Sequence, residues 1–222
     1  MKTLACRGSA NRTLLLVIVA ALAAGLGLWA GKRLVDTDRA GKSQGAAPAM
    51  RAVRLFPQAR SLPDFALAQA GGARLDAEAL KGHWTVVFLG FTHCPDVCPT
   101  TLTELAQAQK LWAGRPAATR PRLLFVSVDP DRDTPEKLAD YARYFHPDTL
   151  TATAHEPALH DFAQALGMVY MKVPLANGDY DMDHSSSLVV LDPQAREAGL
   201  IRPPFKPSEI AADLLQLSET AP

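Results

Sequence analysis

Three cysteines in 222 residues are too few for a disulfide-built scaffold, so each has to be judged by its neighbours. An excess of one charge is also missing, because 23 Lys plus Arg balance 23 Asp plus Glu. With a formal net charge of zero and no basic stripe interleaved with aromatics, nucleic acid is not an expected partner. No internal repeat is present. What the chain does have is one long apolar run, TLLLVIVAALAAGLGLWAG over Thr13–Gly31. As a helix it would be about 28 Å long, close to a hydrocarbon core of about 30 Å.

That run predicts a retained transmembrane anchor over residues 13–31 rather than a cleaved signal, although Ala21-Leu22-Ala23 resembles a cleavage signal. Residues 1–12 then form a short cytoplasmic N-terminus, with Cys6 a spare reduced thiol. A single N-terminal span normally sends the long C-terminal part across. The basic start lacks a long Arg/Ser-rich presequence, so the expected place is a bacterial inner membrane, single-pass, with the C-terminal domain in the periplasm. Residues 32–61, rich in Ala, Gly, Arg, Ser and Pro, read as a flexible tether. The globular domain is expected over 62–218.

Within it, short apolar runs alternate with helical stretches, the pattern of an α/β domain. WTVVFLGF over Trp84–Phe91 and RLLFVSV over Arg122–Val128 read as buried central strands. Helices are expected at Asp76–Lys81, from Pro99 to Trp112, from Thr134 to Phe145, from Pro157 to Leu166 and over Ser208–Leu217. Further strands are expected at Leu150–Ala154, Val169–Val173 and Ser187–Leu191, with Leu200-Ile201 pairing beside the last. The order predicts a thioredoxin-like fold, a central mixed sheet flanked by helices.

Chemistry concentrates at His93-Cys94-Pro95-Asp96-Val97-Cys98-Pro99, where a buried strand gives way to a helix. A helix N-terminus carries partial positive charge and favours thiolate. If the segment is helical, cysteines four apart share a face at a Cα separation of about 6 Å, so the pair can bridge or clamp a metal. His184 precedes the Ser187–Leu191 strand, in the loop that faces the dithiol of a thioredoxin-like fold and usually bears a cis-proline. Two thiolates and one imidazole make a soft three-coordinate site suited to Cu(I), and an added weak ligand accommodates Cu(II). Zinc would ordinarily call for a fourth strong ligand. Met182 offers a thioether beside His184, but reads more simply as a core or loop methionine. His83, His146, His155 and His160 read as structural or solvated, and His93 as adjacent to the motif without a metal role. Asp129, Asp131 and Asp133 in DPDRDTP lie at the same end of the sheet. They read equally as groups supporting the site or as parts of a helix cap and an Arg132 ion pair.

Gly90–Pro99 (GFTHCPDVCP), Val128–Pro135 (VDPDRDTP) and Asp183-His184-Ser185 together resemble the Sco/SenC family. The resemblance covers about Leu62 to Leu217. It implies a domain that binds Cu(I) or Cu(II) through Cys94, Cys98 and His184 and helps mature the dinuclear copper A site of cytochrome c oxidase subunit II, fed by an upstream copper donor protein. The competing expectation is an extracytoplasmic thiol-disulfide oxidoreductase using Cys94 and Cys98 on the cysteines of that site. Against it stand the Cys-x3-Cys spacing and the missing cis-proline.

Overall fold

The computed structural model describes residues 49–220 together with Leu22, Gly25, Leu26 and Trp29. The expected N-terminus 1–12, most of the anchor 13–31 and the tether up to residue 48 lie outside the described residues. Among the described residues no helix is long and apolar enough to cross a membrane. The chain divides into two compact units, Met1–Ala49 and Met50–Pro222, and the second carries the globular fold.

The two strongest apolar runs become the centre of that fold. β4 (Thr85–Gly90) is buried at every residue and pairs in parallel with β5 (Arg122–Ser127), Thr85 opposite Arg122 and Gly90 opposite Ser127. β6 (Leu150–Ala152) extends the sheet in parallel, while β9 (Leu188–Leu191) and β10 (Glu197–Ile201) add antiparallel strands on the other side of β4. One edge is β1 (Val53–Arg60) and the other is β6, in the six-stranded order β1-β10-β9-β4-β5-β6. β1 lies inside the stretch expected to be tether. It is mostly exposed, broken by a register shift and carries Pro57, all of which an edge strand tolerates and a central one does not.

β2 (Leu67–Ala68) and β3 (Arg74–Leu75) form a small hairpin before the one-turn α1 (Ala77–Leu80), whose Asp76 caps Ala79 N–H at 3.1 Å. The remaining helices are α2 (Val97–Trp112), α3 (Pro135–Phe145), α4 (Ala158–Ala165) and α5 (Pro207–Thr220). α2 buries Cys98, Leu102, Leu105 and Trp112, and α5 buries Ile210, Leu214 and Leu217, in one core with the sheet. The expected mixed sheet flanked by helices is what forms.

Besides β1, a second strand departs from the sequence expectation. Tyr180–His184 is a strand, β8, paired antiparallel with β7 (Tyr170–Pro174) in a separate hairpin that puts Tyr170 opposite His184. Its signals are present in the sequence: the Asn177-Gly178 turn, with Gly178 at φ 84°, and the alternation Tyr-Asp-Met-Asp-His.

Candidate metal centre

β4 delivers the chain to the site. Phe91 follows it into the core, and Cys94 lies in the turn before α2, its N–H 3.4 Å from the Phe91 carbonyl. Helix α2 begins at Val97, so the cysteines do not share a helical face as expected. Pro95 steers the preceding Cys94 away from helical backbone. Pro99 exerts the same preference on Cys98, but lies in the first turn, where its missing N–H costs nothing. Cys98 is therefore helical and fully buried, while Cys94 is half-buried. The free Cys98 N–H of that first turn points at Cys94 Sγ, 3.4 Å away.

Burial has the opposite effect on Cys98 to the one expected from the helix terminus. It pushes the thiol well above the ordinary range, and the backbone hydrogen bond from Phe91 only partly counters it. Gly90 is a consequence of that packing. A Cβ there would fall 2.8 Å from the Phe125 ring and 2.9 Å from Cys98 Sγ. Tyr141 also lies by the thiols, and burial pushes its phenol up to about 12, so its hydroxyl stays protonated.

His184 reaches the same place from the end of β8. Its Nδ1 is 3.1 Å from the Ser185 carbonyl, which can only accept, so Nδ1 carries the proton and Nε2 presents its lone pair. Nε2 lies 3.5 Å from Cys98 Sγ, and the ring packs edge-on to Phe91 at 6.0 Å between centroids. Cys94, His184 and Met182 line one cleft of about 290 Å3 with Pro95, Val97 and Ser186. Both cysteines are free thiols. Among the described residues no three His, Cys, Asp or Glu side chains are gathered as a closed metal cage. Cys98 touches each of the other two, and Cys94 completes the lining of the cleft.

The DPDRDTP segment divides between the two halves of the site. Asp133, fully buried, accepts from Thr92 N–H at 2.8 Å, from the Ser127 hydroxyl at 2.6 Å and from the Thr92 hydroxyl, and so fixes the loop that carries Cys94. Asp129, also buried, accepts from Tyr180 Oη at 2.8 Å and pairs with Arg132. The Arg132 guanidinium lies 3.8 Å from the Tyr180 ring centroid and donates to the Tyr180 carbonyl at 3.0 Å, which holds the His184 hairpin. Thr134 is the helix cap, accepting from Lys137 N–H. Asp131 is exposed and pairs with Lys172 at 2.8 Å. Tyr180 is the supporting residue that sequence reasoning missed.

The other histidines lie apart. His83 is buried with Nδ1 on the Arg120 carbonyl, His146 is buried at the end of α3, and His93 is exposed beside Asp133 and Lys137. Met182 belongs to the core while lining the cleft.

A thioredoxin-like sheet that ends in a buried thiol, with a second thiol and an oriented imidazole around one cleft, defines a dithiol-imidazole protein built for a soft metal or for thiol exchange. The chain belongs to the SCO1/SenC family, whose model matches residues 55–219. A protein of Stutzerimonas stutzeri is 36% identical over 156 residues, 69% of this chain and 75% of that protein. The structure of Bradyrhizobium japonicum ScoI with copper bound is similar at 32% identity and a TM-score of 0.64, covering 71% of this chain and 99% of that one. BsSco, a member of the Sco family of cytochrome c oxidase assembly proteins in which a disulfide switch is identified, shares the fold at 21% identity and a TM-score of 0.58, covering 77% of this chain and 100% of that one.

Proposed function

We propose that this chain is a copper metallochaperone. Cys94, Cys98 and His184 hold Cu(I) or Cu(II), and the protein assists maturation of the dinuclear copper A site of cytochrome c oxidase subunit II. Copper is its cargo, received from an upstream donor protein. The domain works in the periplasm, tethered to the bacterial inner membrane by residues 13–31. One observation carries the reading: Nε2 of His184, freed as a ligand by the Nδ1 contact to Ser185, faces the buried Cys98 thiol at 3.5 Å. The copper-bound relative supports the choice of ion, and the description of BsSco as one of a family of cytochrome c oxidase assembly proteins supports the recipient.

In this reading the protein supplies two thiolates from the rigid end of β4 and one imidazole from the hairpin. Copper displaces the Cys98 proton that burial otherwise retains, so binding releases protons and tightens as pH rises. Because Cys94 is the more accessible thiol, it is the first to meet an incoming or departing ion.

The test is anaerobic copper titration of the reduced domain beside Cys94→Ser, Cys98→Ser and His184→Ala. One-to-one binding lost in both cysteine variants and weakened at least tenfold in the histidine variant is expected. Affinity indifferent to His184 would sink the three-ligand site.

A second reading rests on the asymmetry of the thiols. Half-buried Cys94 receives an N–H from the helix start and is placed to attack a substrate disulfide, while buried Cys98 is placed to resolve the mixed disulfide. The substrate gains two thiols and the protein ends with a Cys94–Cys98 bond. Rapid reduction of a disulfide peptide by the His184→Ala protein would favour it.

A further inference from the structure

A larger cleft, about 610 Å3, lies away from the cysteines, where β1 meets the end of β10. Four cations line it, Arg51, Arg54, Arg202 and Lys206, with Leu55 and Phe56 supplying apolar surface. Glu209 is the one acid in this lining, and it is taken up by Lys206 at 3.2 Å. The guanidinium groups of Arg51, Arg54 and Arg202 make no ion pair or hydrogen bond among the described residues, and all three side chains are exposed. The backbone that presents them is fixed. Asp213 of α5 accepts from the N–H groups of Arg51, Ala52 and Val53 at 2.9, 2.8 and 2.9 Å, and Gly199 lets β1 approach so closely that a Cβ there would lie 2.6 Å from the Arg54 carbonyl.

Three unpaired arginines around an open cleft suit an anionic ligand with several oxygens, because a guanidinium meets phosphate with paired donors. The place of the cleft selects the source. It surrounds the point where the chain enters the domain, 18 residues after the apolar run ends at Gly31. Those residues span at most about 60 Å when fully extended, which keeps the cleft within reach of a membrane holding that run. Leu55, 44% exposed between Arg54 and Phe56, adds an apolar side chain of the kind that enters the headgroup layer.

We propose that this cleft is a docking site for anionic phospholipid headgroups, which seats the domain on the membrane surface. Two antiparallel steps separate β4 from β10, so β10 ends at the same end of the sheet as β4. A domain seated by the cleft therefore holds Cys94 and His184 toward the same surface, two or three strand spacings, about 10–14 Å, to the side.

The site is independent of copper, and its test uses the domain from Met50 onward. That unit has its own core, and the Bradyrhizobium structure consists almost wholly of the matching domain, so it stands alone. Co-sedimentation with phosphatidylcholine vesicles, with and without phosphatidylglycerol, is expected to show binding only to the anionic ones, reversed by salt. Each arginine is worth about fivefold in partitioning, so the Arg51→Ala/Arg54→Ala/Arg202→Ala protein should lose about a hundredfold. Arg74→Ala, which removes an exposed arginine at a different cleft, should lose little. Equal binding to neutral and anionic vesicles, or an equal loss in Arg74→Ala, would overturn the proposal. So would the absence of vesicle binding, and that result would turn attention to an acidic protein as occupant. Copper titration and thermal midpoint of each variant report whether the fold and the metal site are intact.

Discussion

The two halves of the proposed metal centre are built differently. The cysteine half grows from the best-packed part of the domain, where Phe88, Leu89, Phe91, Cys98 and Leu102 all belong to the core. The histidine half is a two-stranded hairpin whose one fully core residue is Met182, with Tyr170 and Tyr180 partly buried. Its outer face leaves Val169 and Met171 73% and 63% exposed. One half is held by burial and the other by a few polar contacts. Metal affinity in such a site depends on both, while fold stability depends mainly on the first.

The sharpest way to break the comparison is Asp133→Ala. It removes the acceptor of three donors in a fully buried place and is expected to cost about 3–5 kcal/mol, lowering the thermal midpoint by roughly 10 °C. Asp133→Asn, which keeps the shape and one oxygen, should lose less. A midpoint within a degree of the parent for Asp133→Ala would mean that the cysteine loop is held by something else. Gly90→Ala comes next. Its methyl would collide with the Phe125 ring and Cys98 Sγ, costing about 1–3 kcal/mol, and it should weaken copper binding together with stability because the sulfur itself is displaced.

Tyr180→Phe probes the other half. Loss of the hydrogen bond to Asp129 should cost only about 0.5–1.5 kcal/mol of stability, yet copper affinity should fall because the hairpin carrying His184 loosens. The effect on affinity should vanish in a His184→Ala background, which a double-mutant cycle would read as coupling. Additive losses would show that Tyr180 acts on copper by some route other than the histidine.

The same contrast explains what could be read in the sequence. The cysteine half was legible because continuous apolar runs such as Thr85–Gly90 announce buried strands, and the strand leads directly to the thiols. The helical condition for a shared face does not hold for both cysteines, since Pro95 keeps Cys94 outside α2. His184 was legible as a residue through its motif, but the strand that bears it was not. β8 buries little and carries two aspartates, so its period of two was overshadowed by its polarity, although Asn177-Gly178 marked the turn. β1 escaped for a related reason, as an exposed edge strand with a proline. The role of Asp133 depends on Thr92, 41 residues away, and no local pattern could connect them.

The smallest effect lies at the far end of the sheet and tests whether the two ends are independent. His83 precedes the start of β4 and His146 precedes β6, both away from the thiols, and burial lowers the pKa of each from the ordinary 6.5. The unfolded chain takes up these protons near pH 6.5, while the folded domain resists them, so below that pH the unfolded state binds more protons. Their stabilising effect is complete above 6.5 and is lost as pH falls through 6.5 toward the lower folded values. The thermal midpoint should therefore drop modestly between neutral pH and pH 5, and His83→Gln should flatten the slope. Copper changes no proton at either residue if the centre is confined to the carboxyl end of β4, so the contribution of His83, read as the difference between parent and His83→Gln, should be the same with and without metal. A contribution that disappears on copper loading would show that the rigid half transmits the state of the site through the whole length of β4.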